Sequence, residues 1–204
     1  SMVTDLRTGG MAGGSGEQAQ TSSLLSQMMR YYNLPNSSIA GASDSNIPDY
    51  QAGYEKALTI ATSAQSGANL ITQASGMLSS LMGVSLESLI LDNELCGSVL
   101  SSMRSVDVAA LGNDLESIKH VIMQDKHFLG ESDTLKRMNT DFNYPKSAKR
   151  LSPDIWMKER DNIMLNQANK NLEELLSSNF ESHLSPETLK KIETDFNINL
   201  DLIF

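Results

Sequence analysis

Residues 46–57 read Asn46-Ile47-Pro48-Asp49-Tyr50-Gln51-Ala52-Gly53-Tyr54-Glu55-Lys56-Ala57. Pro48 suits the first turn of a helix, because its φ is already helical and its missing N–H is not needed there. Asp49 puts a negative charge at the positive helix start. Tyr54, Leu58, Ala61 and Ala64 then recur at helical spacing, which predicts the buried stripe. Gly67 supplies the stop. Glu55 and Lys56 read as a solvated or paired surface beside it.

Working outward, each flank of this helix carries a short strand pattern. Upstream, Ser37 to Ala40 is strand-like and runs into the loop Gly41-Ala42-Ser43-Asp44-Ser45. Downstream, Ala68 to Thr72 predicts a second strand, ending in a loop at Gly76. A third helix opens at Ser85, with the stripe Leu86, Leu89, Ile90, Asn93, Cys96, Leu100 and Met103. Asn93 on that stripe predicts a buried amide that needs partners. An earlier helix is capped by Ser15, with Gln18 in the reciprocal position. It sets Leu24, Leu25, Met28, Met29 and Tyr32 on one face and ends at Pro35. The segment Asp5 to Gly16 is glycine-rich. It lacks the trailing Lys-Ser/Thr of a phosphate-binding loop and follows no convincing strand, so it reads as a flexible loop. The alternation of helix and strand predicts α/β packing around parallel strands.

Beyond Asp107 the character changes. Residues 108–124 are amphipathic and helical, and Asp125 to Gly130 is a loop. Asp133 to Phe142 is a short helix. Ser152-Pro153-Asp154 opens a long polar helix to about Ser178. Ser185-Pro186-Glu187 opens a last one. Residues 1–130 therefore group as β/α units and 131–204 as a helical extension of the same domain.

Composition excludes several classes of function. A formal net charge of −9 argues against nucleic acid, which is bound through basic surface. It is compatible with a cationic substrate. No run approaches the ~20 apolar residues of a membrane span. Ser1 to Gly14 has no apolar signal-peptide core, which with the single cysteine, Cys96, points to the cytoplasm. His120 and His183 fall on outer helices away from His127, so no metal site is expected. The 11 methionines read as core filler.

Five segments carry a family resemblance. Residues 46–57 resemble the "K-x-P-D-x-Q-A-G-Y-E-K-A" stretch of the trimethylamine methyltransferase family. Gly14-Ser15-Gly16-Glu17 is similar to its "G-S-P-E" helix start, and Tyr31-Tyr32-Asn33-Leu34-Pro35 to its "Y-Y-x-L-P". Glu87 to Glu94 resembles "E-Q-L-V-I-D-N-E", and His127-Phe128-Leu129-Gly130 resembles "H-F-L-G". All five occur in the family's order.

The resemblance implies the C-terminal portion of a (β/α)₈ TIM barrel followed by a helical tail. A closed barrel needs about 250 residues, so it further implies a missing N-terminal half or self-association, and a homo-oligomer. It implies transfer of a methyl group from a quaternary or tertiary amine to the Co(I) of a corrinoid carried by a cognate protein, with no cofactor held tightly here. The alternative is a truncated, non-catalytic interaction module. The family's pyrrolysine aligns at about Ala42. An ordinary residue there implies the branch without pyrrolysine, and glycine betaine-like substrates. Asp44 and His127 are the remaining catalytic candidates. Asp49, Gln51, Tyr54, Gln73 and Glu94 are the substrate-binding candidates. Each has a bland counterpart: helix capping for Asp44 and Asp49, core packing for Tyr54, backbone bonding for His127. The family's second histidine is replaced by Asp133, so no histidine pair is expected.

Overall fold

Asp49 caps the central helix, its Oδ1 accepting from Ala52 N–H at 2.9 Å, so Pro48 stands just before the helix rather than in its first turn. In the computed structural model this helix, α2, spans Tyr50–Gln65. The structure describes residues 2–106, 108, 114–124, 127–159, 163–178 and 183–198. Helix α1 (Gly16–Tyr31) is capped by Ser15, whose Oγ accepts from Gln18 N–H at 3.1 Å. Strand β1 (Ser37–Ile39) pairs in parallel with β2 (Leu70–Thr72), in the register Ser37–Leu70 to Ile39–Thr72. Helix α2 is the crossover between them. A small antiparallel hairpin, β3 (Met77–Leu78) and β4 (Gly83–Val84), follows β2 where only a loop is predicted. Helix α3 (Leu86–Ser102) then begins at its Ser85 cap.

The faces these helices bury differ from the predicted stripes. In α2 the buried residues are Ala52, Glu55, Lys56, Thr59, Ile60, Ser63 and Ala64. Tyr54 is 48% exposed, and Leu58 lies out with it. Glu55 and Lys56, read as surface, are 5% and 1% exposed. In α1 the buried residues are Gln18, Ala19, Ser22 and Ser26, while Leu24, Leu25, Met28 and Tyr32 face outward. In α3 Ser88, Asp92 and Val99 are buried, and Asn93 is exposed rather than buried. Several methionines, Met28, Met82 and Met103 among them, are exposed rather than core filler.

Small size is the physical reason. Periodicity marks an apolar face without saying what covers it. Alanine and serine let backbones approach closely, and the buried hydroxyls of Ser22, Ser26, Ser38 and Ser63 find partners. Ser38 and Ser63 meet at 3.1 Å, Asn36 Nδ2 donates to Ser26 Oγ at 2.8 Å, and Gln18 Nε2 donates to Ser22 Oγ at 3.2 Å. The apolar core is correspondingly small: Ala40, Ile60, Ala64 and Val99, with Ile71, Leu95 and Cys96 packed on it.

A buried ion pair ties the layers together. Lys56 Nζ bonds Asp92 Oδ2 from α2 to α3. The same oxygen accepts from Gly76 N–H at 2.7 Å, which draws in the turn after β2. Burial pushes the Asp92 carboxyl above its usual range in spite of Lys56. The charge on Asp92 adds to burial in raising the Cys96 thiol.

The tail is helical. It comprises α4 (Asp114–Met123), α5 (Ser132–Thr140), α6 (Pro153–Lys158), α7 (Met164–Ser177) and α8 (Pro186–Phe196). The predicted helix from Ser152 to Ser178 is thus divided. Helix α6 ends where Glu159 leaves helical geometry at φ −100°, ψ 80°, and residues 160–162 lie outside the described ones. Positions 109–113 of the predicted 108–124 helix, and 125–126 of the following loop, also lie outside them. Helix α7 packs on α3. Glu94 of α3 anchors the chain between them by accepting from the N–H groups of Lys146, Ser147 and Ala148 at 2.9, 2.6 and 3.2 Å. The described residues contain one parallel strand pair and no closed barrel. Among them, no helix is long and apolar enough to cross a membrane.

Lys56→Met leaves Asp92 buried without its counter-charge and should lower stability by about 3–5 kcal/mol. The double variant Lys56→Met, Asp92→Leu should lose less than the sum of the single changes in urea denaturation. Simple additivity would show that the pair does not couple α2 to α3.

Candidate functional site

In parallel α/β folds, ligands bind at the carboxyl ends of the strands. Here those ends present three segments to one another. One is the loop 40–49 after β1. The second is the turn and hairpin 73–84 after β2. The third is the glycine-rich stretch before α1, turned back on itself by a bridge between Thr4 and Met11.

Ala42 sits in the middle of this junction and is 1% exposed. A Cβ at Gly13 would lie 3.6 Å from the Ala42 Cβ, so the glycine-rich stretch covers it directly. Gly41, at φ +88°, makes the bend into the loop, and its N–H donates to Thr59 Oγ1 at 3.0 Å. The bend passes so close to β2's end that a Cβ there would meet Ala74 Cα at 2.7 Å. Only glycine satisfies both demands.

Two carboxylates grip the loop. Asp44 accepts from Gly13 N–H at 3.1 Å, Gly14 N–H at 3.3 Å and Ser80 Oγ at 2.8 Å. It ties all three segments together and does not cap α2. Glu55 accepts from Ser43 Oγ at 2.7 Å and Asp44 N–H at 2.8 Å on one oxygen, and from Gln51 Nε2 at 2.8 Å on the other. The hairpin closes on the same loop, with Ser80 N–H donating to Ser43 O at 2.9 Å and Ser79 N–H to Ser45 O at 2.8 Å. The backbone is strained here, since Gln73 in the turn after β2 and Ser79, Ser80 and Leu81 in the hairpin all have positive φ.

The predicted site residues divide accordingly. Ala42, Asp44 and Gln51 meet at the junction. Tyr54 adjoins it, and partial burial with the charges of Glu55 and Asp44 raises its hydroxyl pKa. Gln73 stands exposed at the end of β2. Asp49 is the helix cap, and the Ala52 N–H it accepts holds its carboxyl below the usual range. Glu94 anchors the tail and borders a cavity of about 800 Å³ between α3 and α7, with Ser75, Leu89, Cys96, Tyr144 and Leu175 on its walls. His127 is exposed and precedes a 3₁₀ turn, Phe128–Gly130, that packs on α5. No group of three potential metal ligands occurs among the described residues. Glu55, Thr59 and Ser80 were not singled out from sequence. The one available signal was the Gln51/Glu55 spacing, which sets an amide and a carboxylate one helical turn apart.

Comparison with known proteins adds a family model, described as trimethylamine methyltransferase (MTTB), that matches residues 1–199. The chain is 30% identical over 193 residues to a glycine betaine methyltransferase of Desulfitobacterium hafniense (strain Y51), covering 95% of this chain and 40% of that protein. It is 31% identical over 193 residues to trimethylamine methyltransferase MttB2 of Methanosarcina mazei, covering 93% and 38%. With MttB of Methanosarcina thermophila the identity is 35% over 143 residues, covering 70% and 28%. The chain therefore spans two fifths or less of the length of these relatives.

Gly41→Ala should cost about 1–3 kcal/mol from the forced φ alone, with the Ala74 contact added. Thermal unfolding matching the parent would refute the close approach. The depressed Asp49 carboxyl makes the cap complete above its ordinary pKa of 3.8 and lost as pH falls through the lower folded value. The Ala52 amide resonance should therefore hold steady above that pH and move only below it. Movement centred higher would contradict the cap.

Proposed function

We infer the function from one premise: the chain belongs to the trimethylamine methyltransferase family. We propose that it is the C-terminal portion of a cytoplasmic methyltransferase built on a (β/α)₈ barrel. Its methyl donor is a quaternary or tertiary amine, glycine betaine-like by preference. The acceptor is the Co(I) of a corrinoid on a cognate carrier protein.

The observation that carries the substrate preference is Ala42. Where the resemblance aligns the pyrrolysine, this chain has a buried methyl group under Gly13. A small, inert side chain there leaves no group in the loop to engage an amine covalently. A quaternary ammonium requires no such group, and it offers no N–H. It is held by the field of nearby carboxylates and by aromatic faces. Asp44 has its oxygens occupied by N–H and O–H donors, which leaves its charge to act through space. Tyr54 supplies a half-exposed ring beside it. Methyl loss from a quaternary nitrogen needs no general base, so the residues have to position and desolvate the donor. The loop's donor set contains no imidazole, and its carboxylates are engaged within the chain, so it fits a corrinoid brought by a carrier rather than one ligated here. The corrinoid supplies the nucleophile that takes the methyl group.

The exposed apolar stripes of α1 and α3, and the outer edges of β1 and β2, are where the remaining β/α units would close the barrel. The same stripes favour a second reading, a non-catalytic interaction module of the family that associates with itself or with another chain.

The test supplies the protein with a reduced corrinoid protein and, in turn, trimethylamine, glycine betaine, carnitine and proline betaine. Corrinoid methylation is read from its absorption spectrum. Methylation with a quaternary amine and none with trimethylamine is the expected outcome. Silence with all four would leave the interaction module as the better reading.

A further inference from the structure

We propose that Glu55 is the positioning residue of the strand-end loop, holding residues 41–45 in register with the rest of the site. Its kinetic consequence rests on the function proposed above; its structural consequence does not.

Three observations support this. First, Glu55 is buried, and both its oxygens are engaged by three donors, two of them from the loop itself. A carboxylate buried without partners would be strongly destabilising, so its place here depends on those bonds. Second, the room for it is built in. A Cβ on Gly14 would fall 2.4–2.6 Å from the Glu55 side chain. The glycine-rich stretch is thus cut away where the carboxylate reaches the loop. Third, Glu55 stands on a helix anchored by a buried ion pair. Its neighbour Lys56 is paired to Asp92 of α3, and Asp92 holds the turn at Gly76. Glu55 therefore refers the loop to the same frame that fixes the end of β2.

Asp44 and Glu55 act from opposite sides. Asp44 ties the loop to the glycine-rich stretch and to Ser80. Glu55 ties it to helix α2. Bonds from Ser43 Oγ and Asp44 N–H fix two successive residues of the loop, which sets the direction of the chain as well as its position. Ser45 N–H in turn donates to Ser43 Oγ at 3.0 Å, so the effect extends one residue further. Gln51 holds the second oxygen and stops the carboxylate from rotating away.

The experiment compares Glu55→Ala and Glu55→Gln in the full chain. Hydrogen exchange of residues 41–49 should quicken by about tenfold or more in Glu55→Ala, with residues 57–65 of α2 unchanged. Glu55→Gln keeps one carbonyl acceptor and should restore most of the protection. In the methyl-transfer assay, Glu55→Ala should lose about 100-fold in kcat, with KM within about threefold of the parent. If Glu55→Ala does not fold, Ser43→Ala removes a bond from the loop side and should quicken the same amides without touching α2. Unchanged exchange at 41–49 in a folded variant would overturn the proposal. So would a large rise in KM with kcat retained, which marks a direct substrate contact. An inactive parent chain would instead reject the function, and the exchange result would still decide the role of Glu55.

Discussion

The ion pair between Lys56 and Asp92 is the constraint on which the rest of the arrangement depends. A lysine and an aspartate taken out of water cost several kcal/mol each unless they meet. Helix α3 must therefore pack where Asp92 reaches Lys56. Asp92 then reaches the Gly76 N–H, which places the end of β2. Because β1 and β2 are paired in parallel, the end of β1 follows. One pair of charges thereby sets two helices and two strand ends relative to one another.

Hydroxyl chemistry joins the other close approaches between these elements. Ser38 against Ser63, Ser26 against Asn36 and Thr59 against Gly41 are short, satisfied contacts between closely packed backbones. They leave little room for large apolar side chains, which stay on the opposite helix faces. The chain spans 40% or less of the length of the relatives named above. Buried polar groups specify the junction, and large apolar groups stay exposed around it.

Local rules served well where a single turn of chain decides the outcome. The caps at Ser15, Asp49 and Ser85, and both parallel strands, were legible because each depends on neighbours one to four residues away. The hairpin 77–84 was not, since its left-handed residues Ser79, Ser80 and Leu81 are held by the loop after β1, which lies more than thirty positions upstream. Of the site, Asp44 was legible from its loop after a predicted strand, and Ala42 and Gln51 only through the family resemblance. Glu55 was not, because a carboxylate next to a lysine on a helix looks like an exposed pair until the burial of both is seen.

Residues 46–57 determined that a helix begins at Asp49; with the strand patterns on either flank they placed it between two parallel strands, and with four further segments they carried the resemblance to one methyltransferase family. Those properties follow from spacing, backbone preference and motif. Which side of that helix faces inward was decided only by the tertiary structure. A carboxylate and an ammonium can be buried only where partners from elsewhere satisfy them, and Ser43, Asp44, Asp92 and Gly76 are brought to α2 by the fold alone.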